Sequence, residues 1–175
     1  MERLYAPWRM AYVDQPGSAK EQMADGRCVF CKKAADDSDI ENLLIHRGRH
    51  SFVLMNLFPY NNGHIMVAPY QHTASLDALD PETLLEMMLL ARTAVRVLGF
   101  GIHPDAYNIG MNLGQVAGAG IADHLHLHVV PRWNGDTNFM PVLSDTKVLP
   151  DSLENSCRKL RDAWQALEQE HNGSH

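Results

Sequence analysis

His124-Leu125-His126-Leu127-His128-Val129-Val130 puts an imidazole at every second position of a short apolar run. Side chains alternate across a strand, so an extended chain gathers the three histidines on one face and Leu125, Leu127 and Val129 on the other. Same-face neighbours lie about 7 Å apart along the strand. Imidazoles set side by side need a ligand, a metal or a shared hydrogen-bond network to offset their desolvation. A polar outer face is the plainest reading, and any polar residue would serve it. A three-histidine metal site is the second, although one strand supplies two ligands more easily than three. The third uses a neutral imidazole as a nucleophile, since its pKa lies near neutral pH. One ring nitrogen must then be bare to attack phosphorus, while the other gives its proton to a fixed acceptor such as a strand carbonyl. The resulting phospho-imidazole reacts with water or a second phosphate, which divides one hard substitution into two easier ones.

Two further motifs have chemical content. Gly114-Gln115-Val116-Ala117-Gly118-Ala119-Gly120, directly upstream of the histidine strand, can turn backbone N–H groups toward an anion and lets phosphate approach closely. Cys28-Val29-Phe30-Cys31 reads as half of a zinc site, with a redox pair as the alternative. His46, His50, His72, His103 and His124 could each complete the zinc set by chemistry.

These side chains need a sheet to carry them. Short strand-forming stretches at 43–46 and 51–57 flank Gly48 and predict a hairpin. Pro59-Tyr60-Asn61-Asn62-Gly63 predicts a turn before a strand at 64–68 that stops at Pro69. A helix over 81–98 follows, with Asp80 as cap, Pro81 at its first position and Glu82 at the positive end of its dipole. Its apolar stripe is Leu84, Met88, Ala91, Val95 and Leu98, and Gly99 is its expected stop. Strands at 107–112 and 124–130, the latter ended by Pro131, and a helix over 153–170 complete the pattern. The fold class is α+β, an antiparallel sheet of about five strands with the long helix packed on it.

The chain of 175 residues, 45% apolar and 21% charged, fits a single domain. Its net charge of −6 argues against a nucleic-acid binder, which needs a basic face, but leaves room for a small phosphorylated ligand. No apolar run approaches the roughly 18 residues of a membrane span. MERLYAPWRMAYV lacks the pattern of a signal peptide, and three cysteines fit reduced thiols. The expectation is a cytoplasmic protein with no membrane and no nucleic-acid partner.

His-φ-His-φ-His-φ-φ resembles the signature of the histidine-triad (HIT) superfamily of nucleotide hydrolases and transferases. Residues 52–56 followed by Pro59 and Gly63-His64 resemble the family's first block, and Pro131-Arg132 also match, so the likeness covers about residues 28–133. The rest is extension, 1–27 and 134–175. Trp133-Asn134-Gly135-Asp136 and the residues after it, like Tyr5-Ala6-Pro7-Trp8-Arg9-Met10, resemble a longer bacterial branch that includes diadenosine tetraphosphate phosphorylases. The resemblance implies a HIT-like fold and a covalent nucleotidyl intermediate on His126, formed at the α-phosphate of a nucleotide or dinucleoside polyphosphate. It implies that His128 hydrogen-bonds the phosphate, with His64 and His124 in the same catalytic cluster. Asn56 is then expected at the ribose, with Asn112, the backbone of Gly118, Ala119 and Gly120, and Arg132 as substrate contacts. Zinc ligands become Cys28, Cys31, His72 and His124 in a closed structural site, and magnesium would enter with the polyphosphate. A homodimer with joined sheets, or a higher oligomer, is implied. Water or inorganic phosphate could be the acceptor, and a nucleotide-binding sensor with negligible turnover is the non-enzymatic alternative.

Overall fold

Residues 28–136 and 152–172 are described in the computed structural model of the chain. Strands β1 (Leu44–Arg47), β2 (Ser51–Met55), β3 (Ile65–Pro69), β4 (Ala106–Met111) and β5 (Leu127–Arg132) form one sheet. The order is β1-β2-β3-β5-β4, and every neighbouring pair is antiparallel. Helix α1 (Val29–Ala35) lies before the sheet, α2 (Pro81–Ile102) between β3 and β4, and α3 (Leu153–Asn172) after β5. This is the α+β arrangement expected from the strand and helix periods.

Alternation along the strands divides two apolar layers. Val53 and Met55 of β2, Ile65 and Val67 of β3, and Leu127 and Val129 of β5 pack on Met87, Ala91, Ala94 and Leu98 of α2 and on Leu160 and Trp164 of α3. Phe52, Leu54, Met66 and Ala68 point the other way and pack with Phe30 of α1. The histidines open onto this second, thinner layer. No helix among the described residues is long and apolar enough to cross a membrane.

The long helix begins as expected: Asp80 Oδ1 accepts the Thr83 N–H at 2.8 Å, and Pro81 follows the cap. Its buried stripe differs. Thr83, Met87, Leu90, Ala91, Ala94, Val97 and Leu98 face inward, whereas Met88 is 55% exposed. The helix also continues through Gly99 to Ile102. Gly99 serves a close approach instead of a stop: a Cβ there would lie 3.3 Å from the Tyr107 hydroxyl, which donates to the Val95 carbonyl at 3.0 Å. The stop falls at His103, left-handed at φ 48°. A non-glycine residue is disfavoured there, so His103→Gly should raise stability by about 0.5–1 kcal/mol. In a chain of this size that is a Tm gain of about 1–4 °C in a thermal melt. A lower Tm would contradict the cap assignment.

The triad strand is shifted from its expected span. Its ladder runs Leu127–Arg132 and includes Pro131, because β3 reaches no further than Val129 and Pro131 has β4 as its ladder neighbour. His124, Leu125 and His126 precede the ladder, and the Leu125 N–H is held by the Thr73 carbonyl at 2.7 Å. Gly63, at φ +71°, makes the turn into β3. A Cβ there would fall 2.5 Å from Ile102 Cδ1, so this glycine lets the turn lie against α2 and delivers His64 into the interior.

Candidate active site and metal centre

Five imidazoles, those of His64, His72, His124, His126 and His128, and two thiols converge on the thin side of the sheet, and hydrogen bonds decide which nitrogen carries the proton at four of them. His126 Nδ1 lies 2.9 Å from the carbonyl oxygen of His124. A carbonyl can only accept, so Nδ1 holds the proton and Nε2 is bare. Burial pushes the His126 imidazole below its ordinary pKa, partly offset by that carbonyl, which favours the neutral ring. His128 packs edge-on against His126, with ring centroids 4.7 Å apart.

His64 is fully buried and its Nε2 lies 2.9 Å from His128 Nδ1. The Tyr60 N–H donates to His64 Nδ1 at 3.1 Å, and Asn56 Nδ2 approaches the same nitrogen at 3.3 Å. His64 therefore carries its proton on Nε2 and gives it to His128 Nδ1, which leaves the His128 proton on Nε2. The Tyr60 ring covers this pair, 4.6 Å from His64 and 5.8 Å from His128 by centroids.

His124 turns the other way. Its Nε2–H donates to the Pro69 carbonyl at 2.8 Å, so Nδ1 is bare. That nitrogen faces Cys28 Sγ at 3.3 Å, Cys31 Sγ at 3.6 Å and His72 Nδ1 at 3.3 Å. The ligand atoms of Cys28, Cys31, His72 and His124 all lie within 4.8 Å of one another. Two sulfurs and two imidazole nitrogens, one ring fixed from behind by a carbonyl, form a donor set that suits a metal ion such as zinc. Burial first, and then the adjacent Cys28, push the Cys31 thiol up to about 11, so paired thiolates here need a cation between them. Burial holds His124 at about 4, neutral and ready to ligate at pH 7.

The expected substrate contacts divide. Asn56 sits beside His64, its Oδ1 taken by the Phe58 N–H at 2.9 Å. Asn112 ties β4 to the glycine-rich loop, Nδ2 to Gly118 O at 3.4 Å. Within that loop the Gly118 N–H goes to Gln115 O and the Ala119 N–H to Gly114 O, so these two amides close on the loop itself. Arg132 lies four residues, about 13 Å, beyond His128. Its Nε and Nη2 bind Asp136 at 2.6 and 2.9 Å, and Nη1 binds Asn108 at 2.8 Å.

Asp136 joins that clasp to the site, because Asn61 Nδ2 donates to its Oδ2 at 2.7 Å and to the Pro131 carbonyl at 3.1 Å. Hydrogen bonds from Arg132, with help from Trp133 N–H, the Arg132 charge and Asn61, hold the Asp136 carboxyl at about 2. Because the folded value is depressed, the clasp's stabilisation is complete above the unfolded value of about 4 and is lost as pH falls toward 2. Asp136→Asn should therefore melt below the wild type at pH 7, with the two curves converging in acid. A constant gap in Tm across that range would contradict it.

Sequence reasoning did not reach Phe30, Tyr60, Asn61 or the Pro69 carbonyl. Phe30 rests on His124 and His126 at centroid distances of 5.2 and 5.0 Å, and its place inside the Cys-x-x-Cys run was the available signal. Backbone donors and acceptors leave no mark in residue types.

A family model for the HIT domain matches residues 37–135. The chain belongs to the HIT-domain family. Among HIT relatives, the AP-4-A phosphorylase of Mycobacterium tuberculosis is 36% identical over 165 residues, 94% of this chain and 85% of that one. An adenosine 5'-monophosphoramidase of Schizosaccharomyces pombe is 28% identical over 107 residues, 61% of this chain and 75% of that one. Among solved structures, a zinc-bound histidine triad family protein of Mycobacterium smegmatis superposes with a TM-score of 0.66 at 31% identity, covering 81% of this chain and 96% of that one.

Proposed function

We propose that this HIT protein transfers a nucleotidyl group from a dinucleoside polyphosphate through a covalent intermediate on His126. The observation that carries the reading is the 2.9 Å bond from His126 Nδ1 to the His124 carbonyl, which bares Nε2. Attack of Nε2 on the α-phosphorus forms the N–P bond, breaks the bridging P–O bond and releases the remaining nucleotide. His128, with its proton on Nε2, donates to a phosphate oxygen as charge gathers there. His64 fixes that donor through the 2.9 Å bond to His128 Nδ1. An acceptor oxygen then displaces His126 and regenerates its bare nitrogen.

Inorganic phosphate is the acceptor we favour, on the 36% identity to a phosphorylase across 94% of the chain. Diadenosine tetraphosphate supplied with and without phosphate tests it. ADP plus ATP, formed only with phosphate, is the expected product pair. AMP plus ATP would assign hydrolysis instead, and no turnover would leave a nucleotide-binding protein.

Cys28, Cys31, His72 and His124 would hold zinc, as the zinc-bound relative and their own convergence support. With four protein ligands the ion would supply a structural clamp between α1, the segment after β3 and the triad. A second copy of the chain is the proposed partner. Among the described strands β4 is an edge, its Ile109 is 48% exposed, and Leu85 and Met88 of α2 are 61% and 55% exposed. An apolar edge of this kind invites pairing that continues the sheet.

A further inference from the structure

The proton on His128 is set from the turn between β2 and β3, through His64. Asn56 ends β2, and its Oδ1 accepts the Phe58 N–H at 2.9 Å. That bond fixes which way the amide points, so Nδ2 is the atom 3.3 Å from His64 Nδ1. The Tyr60 N–H reaches the same nitrogen at 3.1 Å. Two donors aimed at one nitrogen leave it no proton of its own. Reversing His64 would put N–H against N–H at Nδ1 and force His128 to donate from Nδ1, turning its Nε2 into a bare acceptor. A bare nitrogen cannot donate to a phosphate oxygen. The pair thus has two proton arrangements of identical composition, and the turn selects one.

What holds the turn is Asn61. The residue is 8% exposed, and its Nδ2 donates to the Pro131 carbonyl of β5 at 3.1 Å and to Asp136 Oδ2 at 2.7 Å. Both partners can only accept, so the orientation of this amide is fixed as well. Its own carbonyl oxygen receives the His64 N–H at 3.2 Å. Asn61 therefore ties the residue next to Tyr60 to the end of the strand that carries His126 and His128.

We infer that Asn61 is a positioning residue: by anchoring the turn to β5 it keeps the Tyr60 amide on His64 Nδ1 and so keeps the His128 proton on Nε2. The inference deepens the nucleotidyl-transfer reading by assigning what sets the donor, and it rests on that reading for its catalytic meaning. The arrangement itself is independent of any turnover.

Long-range proton–nitrogen correlation spectra of the nitrogen-labelled full chain read the tautomer of each histidine without substrate. The wild type is expected to show Nε2–H at both His64 and His128. Asn61→Ala removes both anchors, and His128 should then populate the Nδ1–H form. Asp136→Asn is the matched control, since its amide oxygen still accepts from Asn61 while the Arg132 ion pair is lost; it should melt lower yet keep the wild-type tautomers. In turnover of diadenosine tetraphosphate, Asn61→Ala should lower kcat about tenfold or more, within the range of one proton-donating contact, with KM changed far less. A wild-type His128 protonated on Nδ1 overturns the inference, as does an Asn61→Ala spectrum like the wild type's or equal loss of the pattern in both variants. If Asn61→Ala does not fold, Asn61→Ser carries the same comparison, and the wild-type spectrum still decides the tautomer. If no substrate turns over, the nucleotidyl-transfer reading fails while the spectra continue to test the anchor.

Discussion

His126→Asn should reduce turnover of diadenosine tetraphosphate to less than about one part in a thousand while the chain stays folded, the scale seen when a covalent nucleophile is removed. The amide is the sharper substitution because its N–H can still reach the His124 carbonyl, the bond His126 Nδ1 makes at 2.9 Å. What disappears is the bare Nε2, and with it the N–P bond. His126→Ala should be as inactive and less stable, since it also opens a cavity against Phe30, 5.0 Å away between ring centroids. Binding should survive better than chemistry, because the remaining groups still face the phosphate. Brief incubation with substrate, acid quench and mass analysis should find a nucleotidyl adduct on the wild type and none on either variant. Retention of more than a few per cent of activity, or an adduct on another side chain, would remove His126 from the role.

Much of this arrangement was legible because it depends on period and on rare side chains. Period-two alternation correctly divided the histidines from Leu125, Leu127 and Val129, since the two long helices, α2 and α3, pack on one face of the sheet and claim its apolar side chains. The Cys-x-x-Cys run pointed to the cluster with His72 and His124 because two thiols at that spacing are half of a common metal donor set. The misplacements have a common physical origin in tertiary contact. Gly99 reads as a helix stop by residue type, but it lies inside α2, where a Cβ would crowd the Tyr107 hydroxyl that reaches the Val95 carbonyl. Met88 fitted the stripe by spacing, yet the sheet lies nearer the Met87 and Leu98 side, a rotation that spacing alone leaves open. The proton arrangement was the least legible part. It is written by the Tyr60 N–H and by the carbonyls of Pro69 and His124, backbone groups that side-chain type does not reveal.

Removing metal should lower Tm by about 10 °C or more. The size follows from linkage: an ion bound a thousandfold above its dissociation constant stabilises by about 4 kcal/mol, and each kcal/mol shifts Tm by about 2–4 °C in a chain of this length. Helix α1 has only 7 residues and would be marginal alone. What binds it to the sheet is Phe30 in the second apolar layer, together with the two cysteines that meet His72 and His124. Cys28→Ser should therefore shed zinc and fall in Tm nearly as far as the chelated wild type. A Cys157→Ala variant should keep one zinc per chain, since Cys157 is buried elsewhere with its thiol on the Leu44 carbonyl. The chemical step should suffer less than stability does, because His124 keeps a second restraint, the 2.8 Å bond from Nε2–H to the Pro69 carbonyl. That bond holds the ring, and hence the carbonyl that orients His126, at temperatures where the metal-free chain is still folded. Metal analysis, thermal melts and single-turnover rates at such a temperature separate these effects. Equal melting and equal rates with and without bound zinc would show that the cluster is no metal clamp, and a collapse of the chemical step with an unchanged melt would place the ion in the reaction itself.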